Sequence, residues 1–173
     1  FIVSAHQKIS QINQRFTSII IPRHINKIWK FEQFLDNINC KYALYSQNKK
    51  LIPGIILVDE YNIAEKFFNL SEIVFMGGSF IKHGGQNPLE PARKNCKVLH
   101  GPSIYNFNEI YEFLEKNNIS SLVKNEEDLI RQIDLNLNNP SQEKFNNIID
   151  AHGVEIFNNT LDKVSKFIKN EIK

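Results

Sequence analysis

The stretch I-V-F-M-G-G-S-F-I-K-H-G-G-Q-N-P-L-E-P-A, residues 73–92, decides the fold. Ile73–Met76 is a short apolar run, typical of a strand buried on both faces, and it leads directly into a glycine pair. Asn87 is a preferred residue before a helix and Pro88 fits the first helical position. We therefore expect a strand, a glycine-rich loop and a helix over residues 87–95.

The rest of the chain alternates in the same way. Short apolar runs predict further strands, and amphipathic stretches predict helices between them. The predicted strands are residues 1–5, 17–21, 42–45, 55–58, 98–99 and 122–123, and the predicted helices are residues 6–15, 25–37, 63–70 and 107–117, with helices from about 125 to the end.

This alternation predicts an α/β fold: one domain over residues 1–173, with a Rossmann-like parallel sheet covered by helices on both faces. Such sheets bind ligands beyond the carboxyl ends of their strands. The loops after Ile21, Val58, Met76 and Leu99 are therefore the candidate binding loops.

Composition excludes several classes of function. The chain has 173 residues and a net charge of +2, and its lysines are scattered, which argues against nucleic-acid binding. Cys40 and Cys96 are far apart with no nearby metal-binding pattern, so neither a metal site nor a redox pair is expected. No apolar run is long enough to cross a bilayer.

The end of the chain carries basic residues that alternate with apolar ones on a predicted helix. This pattern most often marks a solvated face, and sometimes a membrane or domain contact. The residues are Lys163, Lys166, Lys169 and Lys173.

The loop after Met76 has the chemistry of an anion-binding site. Four of the seven glycines lie in it, and glycine lets the backbone approach a ligand closely and present its N–H groups. Glu90 falls in the first turn of the predicted helix, where its two oxygens could accept the hydroxyls of a ribose. The alternative is a glycine turn before an ordinary capped helix, with Glu90 as a capping acid.

Residues 77–91 resemble the motif G-G-S-x-x-x-x-G-G-H-N-P-L-E-P of the 3-deoxy-D-manno-octulosonic acid (Kdo) transferases, which act in lipid A assembly. I-I-P-R-H at residues 20–24 is similar to that family's V-P-R-H. Gly101-Pro102 with Asn106-Phe107 is similar to its G-P-x-x-x-N-F, and Ser4 with His6 to its S-T-H. The resemblance covers roughly residues 1–165, but only the second half of such an enzyme.

The resemblance implies the C-terminal, CMP-Kdo-binding domain of a GT-B type glycosyltransferase. The first domain of such an enzyme binds the lipid A precursor and supplies the glutamate base. We therefore expect no catalytic residue in this chain, no acceptor domain and no activity of the chain alone. The whole enzyme would be inverting and metal-independent, with no cofactor besides its donor, CMP-Kdo. It would act at the cytoplasmic face of the bacterial inner membrane, and peripheral membrane contact stays open.

The same resemblance assigns the donor-binding residues. Arg23 makes physical sense there, because a guanidinium fork suits a phosphate. The assigned residues are Pro22, Arg23, Gly77, Gly78, Ser79, Asn87, Pro88, Leu89 and Glu90. A second group shares the candidate loops and ranks below them: His24, His83, Gly84, Gly85, Tyr61, Asn62 and Ile63.

Three departures from the family pattern keep alternatives open. Gln86 stands where the family has histidine, Tyr61-Asn62-Ile63 replace G-E-L, and Gln7-Lys8-Ile9 follow His6 instead of acidic residues. The alternatives are another GT-B glycosyltransferase or sugar-nucleotide epimerase, a nucleotide-binding remnant without catalysis, and, last, a structural α/β domain. Because the chain begins with Phe1 and its one methionine is Met76, we expect a fragment, a processed chain or a gene remnant.

Overall fold

The computed structural model describes residues 1–47, 54–140 and 144–171. The strands are β1 (Thr17–Ile20), β2 (Tyr42–Leu44), β3 (Gly54–Leu57), β4 (Ile73–Met76), β5 (Lys97–His100) and β6 (Ser120–Leu122). The α-helices are α1 (Ile2–Ile12), α2 (Trp29–Asn37), α3 (Ala64–Phe68), α4 (Leu89–Arg93), α5 (Asn108–Lys116), α6 (Glu126–Asn138) and α7 (Phe145–Glu171), with a 3₁₀ turn at Ile25–Lys27. Lys173, one of the basic residues noted above, lies outside the described residues.

The strands are all parallel, which confirms the predicted α/β class. They form two three-stranded sheets, ordered β1-β3-β2 and β4-β5-β6, where the sequence predicted one sheet. In the second sheet Met76 pairs with His100, so the loops that follow β4 and β5 leave the sheet side by side. In the first, Ile20 pairs with Leu57, which brings the loops after β1 and β3 together.

The core of the second sheet is the larger one. Val98 of β5 packs with Tyr111 and Leu114 of α5, and Phe145 and Ile149 at the start of α7 close the same cluster. All five are buried. Burying such side chains supplies roughly 1.5–3 kcal/mol each, so this cluster is a main source of stability.

The predicted strand at residues 1–5 is wrong, because these residues open α1, which ends at Ile12 rather than at Arg15. The physical reason is spacing: Val3, His6 and Ile9 recur every three residues, lie on one face of a helix and are buried. The other predicted elements are present with boundaries shifted by up to a few residues; the predicted last strand at 122–123 is β6, and the predicted helix at 87–95 is the shorter α4.

Helix α1 touches both sheets. Val3 packs with Leu35 of α2 and Ile55 of β3, on the side of the first sheet. Ala5 packs with Leu99 of β5 and with Val123, on the side of the second. Both sheets thus pack against α1.

The helices predicted from about residue 125 onward are α6 and α7. Helix α7 is buried only near its start, and residues 153–169 are exposed, including large apolar side chains such as Phe157 and Phe167. Among the described residues, no helix has the length and apolar character needed to cross a membrane.

Candidate functional site

A cleft of about 420 Å³ opens at the carboxyl ends of β1 and β3, beside the start of α4. Three separate segments line it: the loop after β1, the loop from β3 to α3, and α4. Its lining residues are Ile21, Pro22, Arg23, Ile25, Glu60, Tyr61, Asn62, Ile63, Ala64, Glu65 and Glu90. Folding therefore brings Pro22, Arg23 and Glu90 together with the Tyr61–Ile63 segment.

Arg23 connects the cleft to the glycine loop, residues 77–88. Its guanidinium Nη1 lies 2.7 Å from Nε2 of His83 and donates a hydrogen bond to it. Both side chains are exposed. The sequence ranked His83 below Glu90, and the structure places it in direct contact with the arginine of the cleft.

Ser79 fixes the glycine loop from within. Its hydroxyl donates to the carbonyl of Met76 at 2.6 Å and accepts from the N–H of Gly101 at 2.8 Å. Its own carbonyl accepts from the N–H of Ser103 at 2.8 Å. Ser79 is fully buried, so its side chain holds the loops after β4 and β5 together, and its predicted contact with a donor stays a prediction.

Two glycines of this loop have distinct roles. Gly78 has φ of +76°, and a Cβ there would lie 3.1 Å from Cδ2 of His83, so the imidazole ring lies directly over this glycine. Gly84 has φ of +82°, and a Cβ there would overlap the side chain of Asn106 at 2.3 Å and that of Tyr105 at 2.7 Å. Gly78 thus faces His83, whereas Gly84, which is buried together with Gly85, packs on the loop after β5.

The start of α4 presents Glu90 to the cleft. Asn87 accepts a hydrogen bond from the N–H of Leu89 at 3.0 Å through its side-chain oxygen, but the helix begins one residue later than the sequence predicted. Pro88 stands at the cap position immediately before the helix and is buried, and Leu89 packs into the core of the second sheet. Asn87 and Leu89 therefore position Glu90, which is exposed at the rim of the cleft.

The cleft contains acids that the sequence prediction omitted. Glu60 and Glu65 both line it. Glu65 forms an ion pair with Lys94 at 2.6 Å, and the hydrogen bond from Lys94 lowers the pKa of the Glu65 carboxyl. Glu60 follows Val58-Asp59 directly, so its position after a predicted strand was the signal that could have identified it.

Gln86, one of the departures from the family pattern, is held by its backbone. The hydroxyl of Tyr111 donates to the Gln86 carbonyl at 3.1 Å, and burial raises the pKa of this tyrosine. The ring of Tyr111 packs against His100, whose Nε2 lies 2.8 Å from a carboxylate oxygen of Glu115. These contacts hold the backbone of the glycine loop and do not depend on the side chain at position 86.

The other histidines differ in their surroundings. His6 is buried, with Nδ1 2.8 Å from the Ser18 hydroxyl, and burial lowers its pKa. His152 stacks on Phe113 with ring centroids 4.0 Å apart. His24 is exposed on the loop after β1. Within the described residues no group of three or more His, Cys, Asp or Glu side chains could hold a metal ion.

A second depression, of about 540 Å³, lies at the start of α6. Its Asp128 is paired with Arg131 and accepts from the N–H of Lys124 at 3.1 Å, while Asn125 caps the helix. None of the predicted donor-binding residues lines it. The smaller cleft is therefore the candidate site.

Comparisons with known proteins agree with the resemblance seen in the sequence. No family model matches the chain. A 3-deoxy-D-manno-octulosonic acid transferase of Aquifex aeolicus is 31% identical over 132 residues, which is 76% of this chain and 36% of the relative. The transferase of the same name from Rickettsia typhi is 33% identical over 141 residues, covering 76% of this chain and 30% of the relative.

Other matches extend the coverage and test the fold. A bifunctional glycosyltransferase/methyltransferase of Fusobacterium nucleatum is 28% identical over 165 residues, 92% of this chain and 26% of the relative. The chain thus spans about a third or less of these curated relatives. The crystal structure of the C-terminal CMP-Kdo binding domain of WaaA from Acinetobacter baumannii matches with a TM-score of 0.74 at 22% identity, covering 81% of this chain and 74% of that chain.

Proposed function

We propose that this chain, which is related to the Kdo transferases over most of its length and shares the fold of a CMP-Kdo-binding domain, is the donor-binding part of such an enzyme. The whole enzyme would transfer Kdo from CMP-Kdo to a lipid A precursor. One observation carries the proposal: Pro22, Arg23 and Glu90, assigned by two separate motifs, line one cleft. Its volume of about 420 Å³ is in the range of small-ligand sites.

The chemistry of the lining fits a nucleotide sugar with a phosphate and a carboxylate. Arg23 offers a charged fork to either anion. Gly77 and Gly78 do not line the cleft, and we assign them a donor role from the sequence motif, because backbone N–H groups of a glycine-rich loop can bind an anion. Glu90 accepts the ribose hydroxyls. Catalysis then consists of electrostatic support for the departing CMP phosphate, which a preorganised cleft provides.

The proposed reaction is inverting and uses neither a metal ion nor a cofactor besides its donor. The base that deprotonates the acceptor hydroxyl comes from the acceptor domain of the full enzyme. We place that enzyme at the cytoplasmic face of the bacterial inner membrane. The 173 residues alone bind donor and transfer nothing, so Kdo transfer to a lipid A precursor by the isolated chain would contradict this part of the proposal.

Calorimetric titration of the chain with CMP and with UDP tests the donor class. We expect CMP to bind more tightly, and a clear preference for UDP would overturn the proposal in favour of another GT-B glycosyltransferase or an epimerase. Glu90→Ala should weaken CMP binding by about tenfold, because it removes an ionised acceptor from the cleft. Glu112→Ala, an exposed glutamate on α5, is the matched control and should bind as the parent does.

The departures at Gln86 and residues 61–63 favour one second candidate, a nucleotide-binding module without transfer activity. These residues would then bind CMP without Kdo specificity. A Glu90→Ala variant that binds CMP as tightly as the parent would support this candidate. Transfer by the chain joined to an acceptor domain with its glutamate would exclude it.

A further inference from the structure

The contact between Arg23 and His83 constrains the state of the histidine. Arg23 Nη1 and His83 Nε2 are 2.7 Å apart. A guanidinium can only donate hydrogen bonds and stays charged in proteins, so Nε2 must be the acceptor. An imidazole accepts only when it is neutral, with its proton on Nδ1. In its contact with Arg23, His83 is therefore a neutral acceptor.

The position of the His83 ring is fixed by its surroundings. The N–H of His83 donates to the carbonyl of Ile81 at 2.6 Å, and its carbonyl accepts from the side chain of Asn106 at 3.2 Å. A Cβ on Gly78 would be 3.1 Å from the ring. The imidazole thus lies over Gly78, and its Nε2 contacts Arg23.

An anion that binds beside Arg23 and His83 changes which protonation state of the His83 imidazole is favoured. A phosphate or carboxylate oxygen offers Arg23 a stronger, charge-assisted acceptor than a neutral imidazole does. His83 is then left beside an anion with an unprotonated Nε2, which repels the ligand oxygen. Uptake of a proton converts Nε2 into a donor and adds a second positive charge.

We propose that His83 is a proton-linked anion-binding residue beside the cleft: neutral where it accepts from Arg23, and protonated when a phosphate or carboxylate group binds to both side chains. The proposal rests on the donor-binding function and adds to it a residue that stands at an unspecified position of the glycine-rich motif. It predicts that donor binding takes up a proton from solvent.

The charged and titratable groups around His83 come from three elements. Arg23 and His24 lie on the loop after β1, and Lys82 precedes His83 on the glycine loop. Tyr105, on the loop after β5, donates through its hydroxyl to the carbonyl of Lys82 at 3.4 Å. A protonated His83 next to Arg23 and without an anion would place like charges together, so the proton and the ligand should enter the cleft together.

Two substitutions separate the two states of the residue. His83→Gln keeps an acceptor for Arg23 but cannot be protonated, and His83→Lys is a permanent cation that cannot accept. His152→Gln is the matched control, because His152 stacks on Phe113 of α5 and is not in the cleft. Circular dichroism and thermal unfolding check that each variant is folded.

The experiment is calorimetric titration of CMP into the four proteins at about pH 6 and about pH 8, the range over which histidines titrate, in buffers of different ionisation heat. The phosphate of CMP also titrates there, and comparing variants with the parent removes its contribution. We expect His83→Gln to bind CMP about threefold to tenfold more weakly than the parent at the lower pH, the effect of one exposed charged contact, and about equally at the higher pH. The parent's advantage in CMP affinity over His83→Gln should depend on pH. The affinity of His83→Lys relative to His83→Gln should be the same at both pH values.

The outcomes distinguish this proposal from the function on which it rests. If parent and His83→Gln bind CMP with the same pH dependence and the same proton uptake, His83 is not proton-linked and the inference is overturned while CMP binding stands. If the parent binds CMP at neither pH, the donor-binding function fails and this inference fails with it. Smaller proton uptake in His83→Gln than in the parent and in His152→Gln supports it.

Discussion

The glycine loop and the loop after β1 meet at the contact between His83 and Arg23, and they are held in different ways. The Ser79 hydroxyl joins the glycine loop to the end of β4 through Met76 and to the neighbouring β5 loop through Gly101, and the bond from Asn106 to His83 adds a second link to the β5 loop. The loop after β1 has a buried Pro22, but Arg23 and His24 are exposed, and Arg23 reaches the glycine loop through its side chain. The glycine loop is thus fixed through its backbone, whereas the loop after β1 contributes a long, adaptable cation to the cleft.

The largest effect on this contrast is expected from disturbing the contact between Gly101 and Ser79, which fixes the glycine loop. In Gly101→Ala the new methyl would lie 2.5 Å from the carbonyl oxygen of Ser79 and 2.8 Å from its carbon. Because both are backbone atoms, the loops must separate. We expect the free energy of unfolding in urea to fall by about 3 kcal/mol, the upper end for overpacking.

Gly153→Ala is the matched control for that substitution. Gly153 lies in α7 with nothing within 4 Å of an added Cβ. Alanine should raise the free energy of unfolding by about 0.5–1 kcal/mol, because glycine is a poor helix former. Equal effects of the two substitutions would show that the Ser79–Gly101 contact does not hold the loop.

Removing the adaptable side chain of Arg23 should weaken CMP binding and leave the stability of the fold unchanged. Arg23→Ala is expected to weaken CMP binding by about tenfold, the cost of one charge-assisted contact, with no change in the free energy of unfolding. Arg15→Ala, an exposed arginine just before the other end of β1, should leave both quantities unchanged. A large loss of stability in Arg23→Ala would mean that this loop is as structural as the glycine loop.

The smallest expected effect is on the pH dependence of stability, and it comes from the buried His6. Burial lowers the pKa of His6, so the unfolded chain binds the proton more readily than the folded one. The stability due to neutral His6 is present above about pH 6.5, the ordinary value for histidine, and is lost as the pH falls below it. Urea unfolding should show a stability loss on acidification that is smaller in His6→Gln than in the parent.

The exposed His24 supplies the control for this measurement. His24→Gln should keep the pH dependence of the parent. An unchanged pH dependence in His6→Gln would remove His6 from the account of acid sensitivity.

The sequence predicted the parts of the fold that depend on local pattern. Parallel strands such as Ile73–Met76 are apolar throughout, and their alternation with amphipathic helices indicated the α/β class. The start of α1 was wrongly predicted as a strand because Ile2-Val3 is a β-branched pair, which favours a strand locally, whereas burial of Val3, His6 and Ile9 favours a helix. The division into two sheets depends on strand pairing across the chain, which no local pattern specifies.

The candidate site divides in the same manner. Arg23 and Glu90 could be assigned because each lies in a motif of its own, and the cleft lined by both agrees with that assignment. The contact of Arg23 with His83 joins residues sixty positions apart and requires the conformation of two loops, so spacing could not reveal it. The same holds for Ser79, since the hydrogen bond from the Gly101 N–H to its hydroxyl joins two loops that are distant in the sequence.

The packing of α1 against both sheets has a consequence for the cooperativity of unfolding. Val3 and Ala5 send neighbouring side chains into clusters that belong to different sheets. Detaching either sheet would expose one side of the same helix, so neither can open at a cost below that of losing its contacts with α1. We therefore expect hydrogen exchange to show the amides of β3 and β5 opening together, in one cooperative unit.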